Sequence, residues 1–312
     1  MDQTLVKQYF IENSDAWIKD GYESDGYNFP VGEARMRIVL SLMRSHCGAG
    51  DLLVDLGCGG GQLCVHLARE GYQATGVDQS PAMIAAFQKD LEKESQEVRA
   101  RVKCVQSGLL DNSLPPSRYG AVTAMGVIGY LPEDDPIFQE AYRILRPGGV
   151  FVVSCRNRLF NMVSIGSYTI REIENGGAKK LVEEIQELYE PILQDAAKKL
   201  VTSLGRAAQD LSKRAITDAK EDSGSHGSAP VYTSSIEARQ HTPKQLKAAA
   251  EKNKFSFVSF YGVHPHLLMA GMNRKMPPHV FNHLSKSLEA LESHPASLIW
   301  SSVFIGVFKK SL

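Results

Sequence analysis

Val54-Asp55-Leu56-Gly57-Cys58-Gly59-Gly60-Gly61-Gln62 is the stretch on which the fold turns. The apolar run Leu52 to Val54 leads into an acid and a packed glycine turn, and a second apolar run, Ala74-Thr75-Gly76-Val77, ends in Asp78. This spacing predicts a buried strand, a glycine loop, a helix beginning near Gln62 and a second strand. Gly57, Gly59 and Gly61 permit a sharp turn, close approach of backbone to ligand, and entry into the helix. A carboxylate closing the second strand is placed to accept bonds from ribose hydroxyls. The unit points to a nucleotide-like ligand.

Residue types narrow the choice. The dinucleotide pattern wants glycine at its first, third and sixth positions, and the sixth here is Gln62; the Walker loop's terminal Gly-Lys-Ser/Thr is absent. Asp55 followed by Gly57, Gly59 and Gly61 resembles the first motif of class I S-adenosylmethionine (SAM)-dependent methyltransferases. Leu145-Arg146-Pro147-Gly148-Gly149 before Val150 to Ser154 is similar to that family's Leu-x-Pro-Gly-Gly turn into its fifth strand. In physical terms Pro147 ends a helix and two glycines allow the reversal. Third and fourth strands are predicted near Val102 to Val105 and Ala121 to Met125.

The resemblance is close over residues 45–156 and looser in the carboxyl-terminal strands. It implies an α/β, Rossmann-like, doubly wound seven-stranded sheet with an antiparallel C-terminal strand. It also implies SAM as cofactor, held by Asp55, Gly57, Cys58, Gly59, Gly61, Asp78 and Gln79. Two departures stand out. No acid follows the third strand around Gly108 to Leu110, and the aromatic-Asp pair usual before the fourth strand is Tyr119-Gly120.

Four stretches organise the 312 residues. Residues 1–44 carry Tyr9, Phe10, Trp17, Tyr22 and Tyr27, which either fold over the site or staple helices to the core. Residues 45–156 are the nucleotide-binding half. Residues 157–228 hold an insertion in which Leu181, Ile185, Leu188, Ile192, Leu200, Leu204 and Leu211 recur at helical spacing, broken at Pro191 or Gly205. It reads as a lid, or else as a homodimer contact or a surface hairpin, and Glu221 to Ser228 reads as a flexible loop. Residues 229–312 complete the sheet: Thr242-Pro243 starts a helix, Phe255 to Tyr261 is a strand, Val280 to Leu291 a helix, and Ile299 to Phe308 the last strand.

Lys+Arg and Asp+Glu balance at 35 each, with no basic block, which argues against nucleic acid as partner. No stretch approaches a membrane span and five irregularly spaced cysteines fit a reducing compartment, so the expectation is a soluble, cytoplasmic protein. The implied reaction is methylation of an oxygen or nitrogen on a small-molecule metabolite. RNA or protein methylation, and a non-catalytic SAM-binding partner subunit, are the alternatives. Where the acceptor must lose a proton, a histidine is the first choice of base. His241 is preferred and His264 follows; each also reads as a hydrogen-bonded structural residue. Asn157, Asn161 and Tyr168, just past the fifth strand, are candidate acceptor contacts. His279 and His283 share a helix face without a third ligand, so no metal is expected.

Overall fold

The computed structural model describes residues 2–22, 31–189, 236–266 and 277–311. Seven strands form one sheet: β1 Leu52–Leu56, β2 Gln73–Asp78, β3 Val102–Gln106, β4 Tyr119–Met125, β5 Leu145–Arg156, β6 Phe255–Pro265 and β7 Ser301–Lys310. Their order is β3-β2-β1-β4-β5-β7-β6, the first five parallel and the carboxyl-terminal strand antiparallel. This is the α/β sheet that the motif pattern implies.

The parallel strands are apolar on both faces because helices cover both. Leu53, Val54 and Leu56 of β1 and Ala121, Val122 and Ala124 of β4 are buried. Pro147 lies three residues past the helix Asp135–Ile144, and Gly148 takes the positive φ of 73° that the turn requires. That helix's open carbonyl end is closed from β7, where Lys310 Nζ donates to the carbonyls of Tyr142 and Leu145 at 2.7 Å each. Thr242 caps the helix Pro243–Lys252, accepting from the Gln245 amide at 3.2 Å while Gln245 Oε1 accepts from the Thr242 amide at 2.9 Å.

The chain divides into two compact units. The first comprises Met1–Arg156, Ser235–Phe260 and Ile305–Leu312; its core includes Phe138 edge-on to Phe151, with ring centroids 5.4 Å apart. The second comprises Asn157–Ser234 and Tyr261–Phe304 and has its own apolar cluster of Leu159, Leu181, Ile185 and Ile299. The expected amphipathic insertion is described as far as the helix Ala178–Tyr189, which supplies Leu181 and Ile185 to that cluster. Its continuation to residue 220, the loop at 221–228, and with them the lid and dimer readings, lie outside the described residues.

Candidate functional site

The sheet order reverses between β1 and β4, and open α/β sheets bind ligands beyond the strand ends at such a reversal. A cavity lies there, within the first unit. It is bounded by the glycine loop after β1, Asp78 at the end of β2, Gly126 and Val127 after β4, and the helices Gln3–Glu12 and Ser14–Tyr22. Its atom-free space, mouth included, is about 1080 Å³.

The three loop glycines all have positive φ, yet they serve different needs. A Cβ on Gly57 would stand 2.4 Å from Val127 Cγ2, and one on Gly61 would stand 2.0 Å from the Phe87 ring. Both are required by packing, and Gly61 does not reach the cavity wall. At Gly59 an added Cβ would meet only Met83 Sδ, at 3.8 Å, in the cavity that Gly59 lines. The cradle that a ligand's backbone-hugging edge would fill is therefore at Gly59.

The loop is tied to the second strand. The Gly57 and Cys58 amides donate to the Val77 carbonyl at 2.7 and 3.0 Å. Asp78 Oδ2 accepts from the Gly59 amide at 3.0 Å and Oδ1 from the Ser80 amide at 2.8 Å. Each carboxylate oxygen keeps lone-pair capacity for a further donor. Burial nonetheless raises the Asp78 pKa, against the pull of those backbone bonds. Asp55, bonded by the Thr123 hydroxyl at 2.7 Å, is pushed up to about 7 by burial, with the Asp78 charge adding to the rise. Two carboxylates, Asp55 buried and Asp78 half-buried, face the one cavity and favour a ligand that brings positive charge. Cys58 and Gln79 also line the cavity; burial pushes the Cys58 thiol up, so it is a neutral packing group against Gly76.

The opposite wall is aromatic. Phe10 packs on Trp17 at 5.4 Å and edge-on to Tyr130 at 5.2 Å, and Gln3 Nε2 donates to the Tyr130 carbonyl at 2.8 Å. Phe10, Trp17 and Tyr22 line the cavity, whereas Tyr9 packs edge-on against Phe10 and Tyr27 lies outside the described residues. Arg35 also faces the cavity, a residue the sequence reading did not single out. The signal was present: Arg35 stands four residues before Val39 and eight before Met43, both fully buried, so a guanidinium occupies a position in the apolar stripe of the helix Val31–His46.

Neither candidate histidine is among the residues that line the cavity. His241, 3% exposed, bonds Asp134 Oδ1 through Nε2 at 2.9 Å and does not line the cavity. Burial raises the Asp134 pKa, but the bonds from His241 and then Arg239 outweigh it and hold that carboxylate below its usual range. His264 lies in the second unit, bonded through Nε2 to Ser285 Oγ at 3.0 Å, with its ring centroid 4.2 Å from that of His266. Burial, and then the neighbouring His266, lower its pKa to about 2, so at neutral pH it is an imidazole with no useful proton affinity. The expectation that either histidine serves as general base finds no support in this geometry.

Nor do the candidate acceptor contacts line the cavity. Asn157 donates to the Ser301 and Leu298 carbonyls and accepts from the Leu159 amide, as a residue that ends a strand does. Asn161 donates to Glu172 at 3.0 Å, and Tyr168 lies under Arg171. Both sit among internal contacts of the second unit. Proximity in sequence to the fifth strand's end suggests acceptor contacts, but from Asn157 onward the chain belongs to the second unit.

The buried His264–His266 pair predicts acid sensitivity. Burial depresses His266 to about 4 as well. Unfolded imidazoles take up protons near pH 6.5, the folded pair only well below, so stability is full above pH 6.5 and is lost as pH falls toward 4 for His266 and 2 for His264. The slope is up to about 1.4 kcal/mol per pH unit for each ring. Thermal melts from pH 7 to 5 should show a falling midpoint, shallower in His266→Phe; a flat wild-type profile contradicts it.

Comparison with known proteins agrees with this geometry. A family model described as a methyltransferase domain matches residues 54–153, the segment that runs from β1 and its glycine loop into β5. Residues 54–153 form a class I methyltransferase domain. Curated relatives include the ubiquinone biosynthesis O-methyltransferase of Bradyrhizobium sp. (strain ORS 278), 32% identical over 135 residues, which are 42% of this chain and 51% of that protein. The protein of the same name from Xanthomonas oryzae pv. oryzae (strain PXO99A) is 30% identical over 132 residues, 41% of this chain and 54% of the relative. The chain thus spans about half the length of the curated relatives it matches. Among solved structures, magnesium protoporphyrin IX methyltransferase from Synechocystis PCC 6803 superposes with a TM-score of 0.54 at 14% identity, covering 100% of both chains. The [4+2]-cyclase SpnF superposes at 0.56 with 15% identity, covering 98% of this chain and 95% of its own. At such identities the likeness concerns the fold alone, and a cyclase among methyltransferases shows that the methyltransferase domain's reaction must be argued from its site.

Proposed function

We propose that this chain transfers a methyl group from SAM to an oxygen or nitrogen of a small molecule. The observation that carries the reading is the Asp78–Gly59 link: one carboxylate holds open a glycine whose missing side chain leaves space in a cavity at the sheet reversal. The residues present fit the cofactor. Gly59 would admit its backbone-hugging portion and Asp78 its hydroxyls, with Asp55, Gln79, Met83 and Leu109 alongside. SAM supplies a methyl group on a good leaving group, so alignment is the protein's main task, worth roughly 7 to 11 kcal/mol where geometry is ideal. The names of the curated relatives favour an oxygen acceptor, and the aromatic wall of Phe10, Trp17 and Tyr130 suits one with an apolar body.

Isothermal titration with S-adenosylhomocysteine, the demethylated product, tests the reading. Asp78→Ala should weaken binding by at least about tenfold, since each charge-assisted bond contributes about 1.5 to 3 kcal/mol. A loss below about threefold would place the ribose away from Asp78.

A further inference from the structure

The geometry points to Arg239 as the positioning residue of the cavity's acceptor side: it holds the turn that carries Tyr130, and so, on the function proposed above, orients the molecule to be methylated without touching it. Ile128–Tyr130 is a single 3₁₀ turn after β4, too short to satisfy its own carbonyls. The four carbonyls from Ile128 to Leu131 accept from distant residues instead. Arg239 supplies three of these bonds: its amide donates to the Gly129 carbonyl at 2.8 Å, Nε to that of Leu131 at 2.8 Å and Nη2 to that of Ile128 at 3.1 Å. Gln3 Nε2 supplies the fourth, at Tyr130. Tyr130 and Leu131 line the cavity, whereas Arg239 stands behind them.

Arg239 is itself fixed. Its Nη2 also meets Asp134 Oδ1 at 2.5 Å, the same oxygen that His241 Nε2 bonds, and the His241 amide donates to the Arg156 carbonyl at the end of β5 at 3.0 Å. A Cβ on Gly129 would stand 2.7 Å from the Arg239 carbonyl oxygen, so the turn is built to let this segment approach. The planar guanidinium suits the task, because its diverging donors reach two carbonyls and a carboxylate at once. The donor side is tied separately, through the Val77 carbonyl and Asp78. Loosening the turn therefore disturbs one wall, where Tyr130 meets Phe10 edge-on, and leaves the other in place. A flat ring seated on that wall would lose an aromatic contact.

Fluorine NMR of the full chain labelled with 3-fluorotyrosine, together with titration, tests this. The Tyr130 resonance, identified by its loss in Tyr130→Phe, reports where that ring sits. Arg239→Met is expected to shift or broaden it. The same variant should bind 2-naphthol, a flat ring with one hydroxyl added to S-adenosylhomocysteine-saturated protein, about 3- to 10-fold more weakly, while S-adenosylhomocysteine itself stays within about twofold. Arg239→Lys should recover part of the loss, since an ammonium can still serve some of the carbonyls. If Arg239→Met does not fold, Arg239→Gln, which keeps one amide donor for the turn, carries the same comparison. An unmoved Tyr130 resonance, unchanged 2-naphthol affinity, no 2-naphthol affinity in the wild type, or equal losses for 2-naphthol and S-adenosylhomocysteine overturns the proposal; the last outcome marks an arginine that only supports the fold. Should the wild-type chain bind no S-adenosylhomocysteine, the methyl-donor reading fails by itself, and the Tyr130 resonance with 2-naphthol on the free protein still decides Arg239.

Discussion

Gly59→Val is expected to abolish S-adenosylhomocysteine binding while the chain stays folded. The substitution puts three carbons into the cavity where Gly59 lines it, and the protein itself offers no clash beyond Met83 Sδ at 3.8 Å. Its cost to stability is the left-handed φ of 52°, about 1 to 2 kcal/mol for a side chain with a Cβ and most for a branched one. Gly59→Asn separates the two effects, because asparagine tolerates that backbone region and still fills the space. Both variants should melt near the wild-type midpoint and bind no ligand by titration. Unchanged affinity in either folded variant would remove the glycine loop from the site.

Gly61→Ala should do the reverse. Its Cβ would lie 2.0 Å from a ring carbon of Phe87, which is fully buried, and its φ of 76° adds strain. Overpacking of about 1 to 3 kcal/mol and backbone strain of about 1 to 2 combine to roughly 3 kcal/mol or more. In a chain of this size the melting midpoint then falls by at least about 5 °C. Because Gly61 stays off the cavity wall, whatever fraction remains folded should bind with near-normal affinity. A midpoint within 1 °C of wild type, roughly the error of a melt, would show that Phe87 moves aside at little cost. Two glycines separated by one residue would then differ in kind, one excluded by ligand and the other by core.

How much of this was legible beforehand follows from what each signal measures. The strands of the parallel half came out within about two residues over β1 to β4, because apolar runs bounded by glycines and acids have few other uses. β5 starts five residues earlier than its apolar run, since the Leu-x-Pro-Gly-Gly turn already pairs at Tyr119 and Leu145. Asp55, Gly57, Cys58, Gly59, Asp78 and Gln79 do line one cavity, as local motifs put neighbours in sequence next to one another in space. Residue type alone could not tell that Gly61 answers to Phe87, twenty-six positions on. Chemical type points to histidine as a base, but type does not report burial: His264 is desolvated beside another imidazole, and His241 is already bonded to Asp134. Arg35 was missed for the opposite reason. One of three arginines in an amphipathic helix reads as surface until its register against Val39 and Met43 is checked.

Apart from Tyr130, the aromatic wall comes from a stretch that shares no residues with the glycine loop. Phe10, Trp17 and Ile18 belong to the first 22 residues, while the loop, Asp78 and Gln79 lie between 57 and 79. On the function proposed above, inheritance can act on the two separately: the leading helices are exchangeable as a cassette that rewrites which molecule is accepted, and the machinery that grips the donor passes through the exchange untouched. A graft of residues 1–22 from a relative of different acceptor preference would carry its selectivity along.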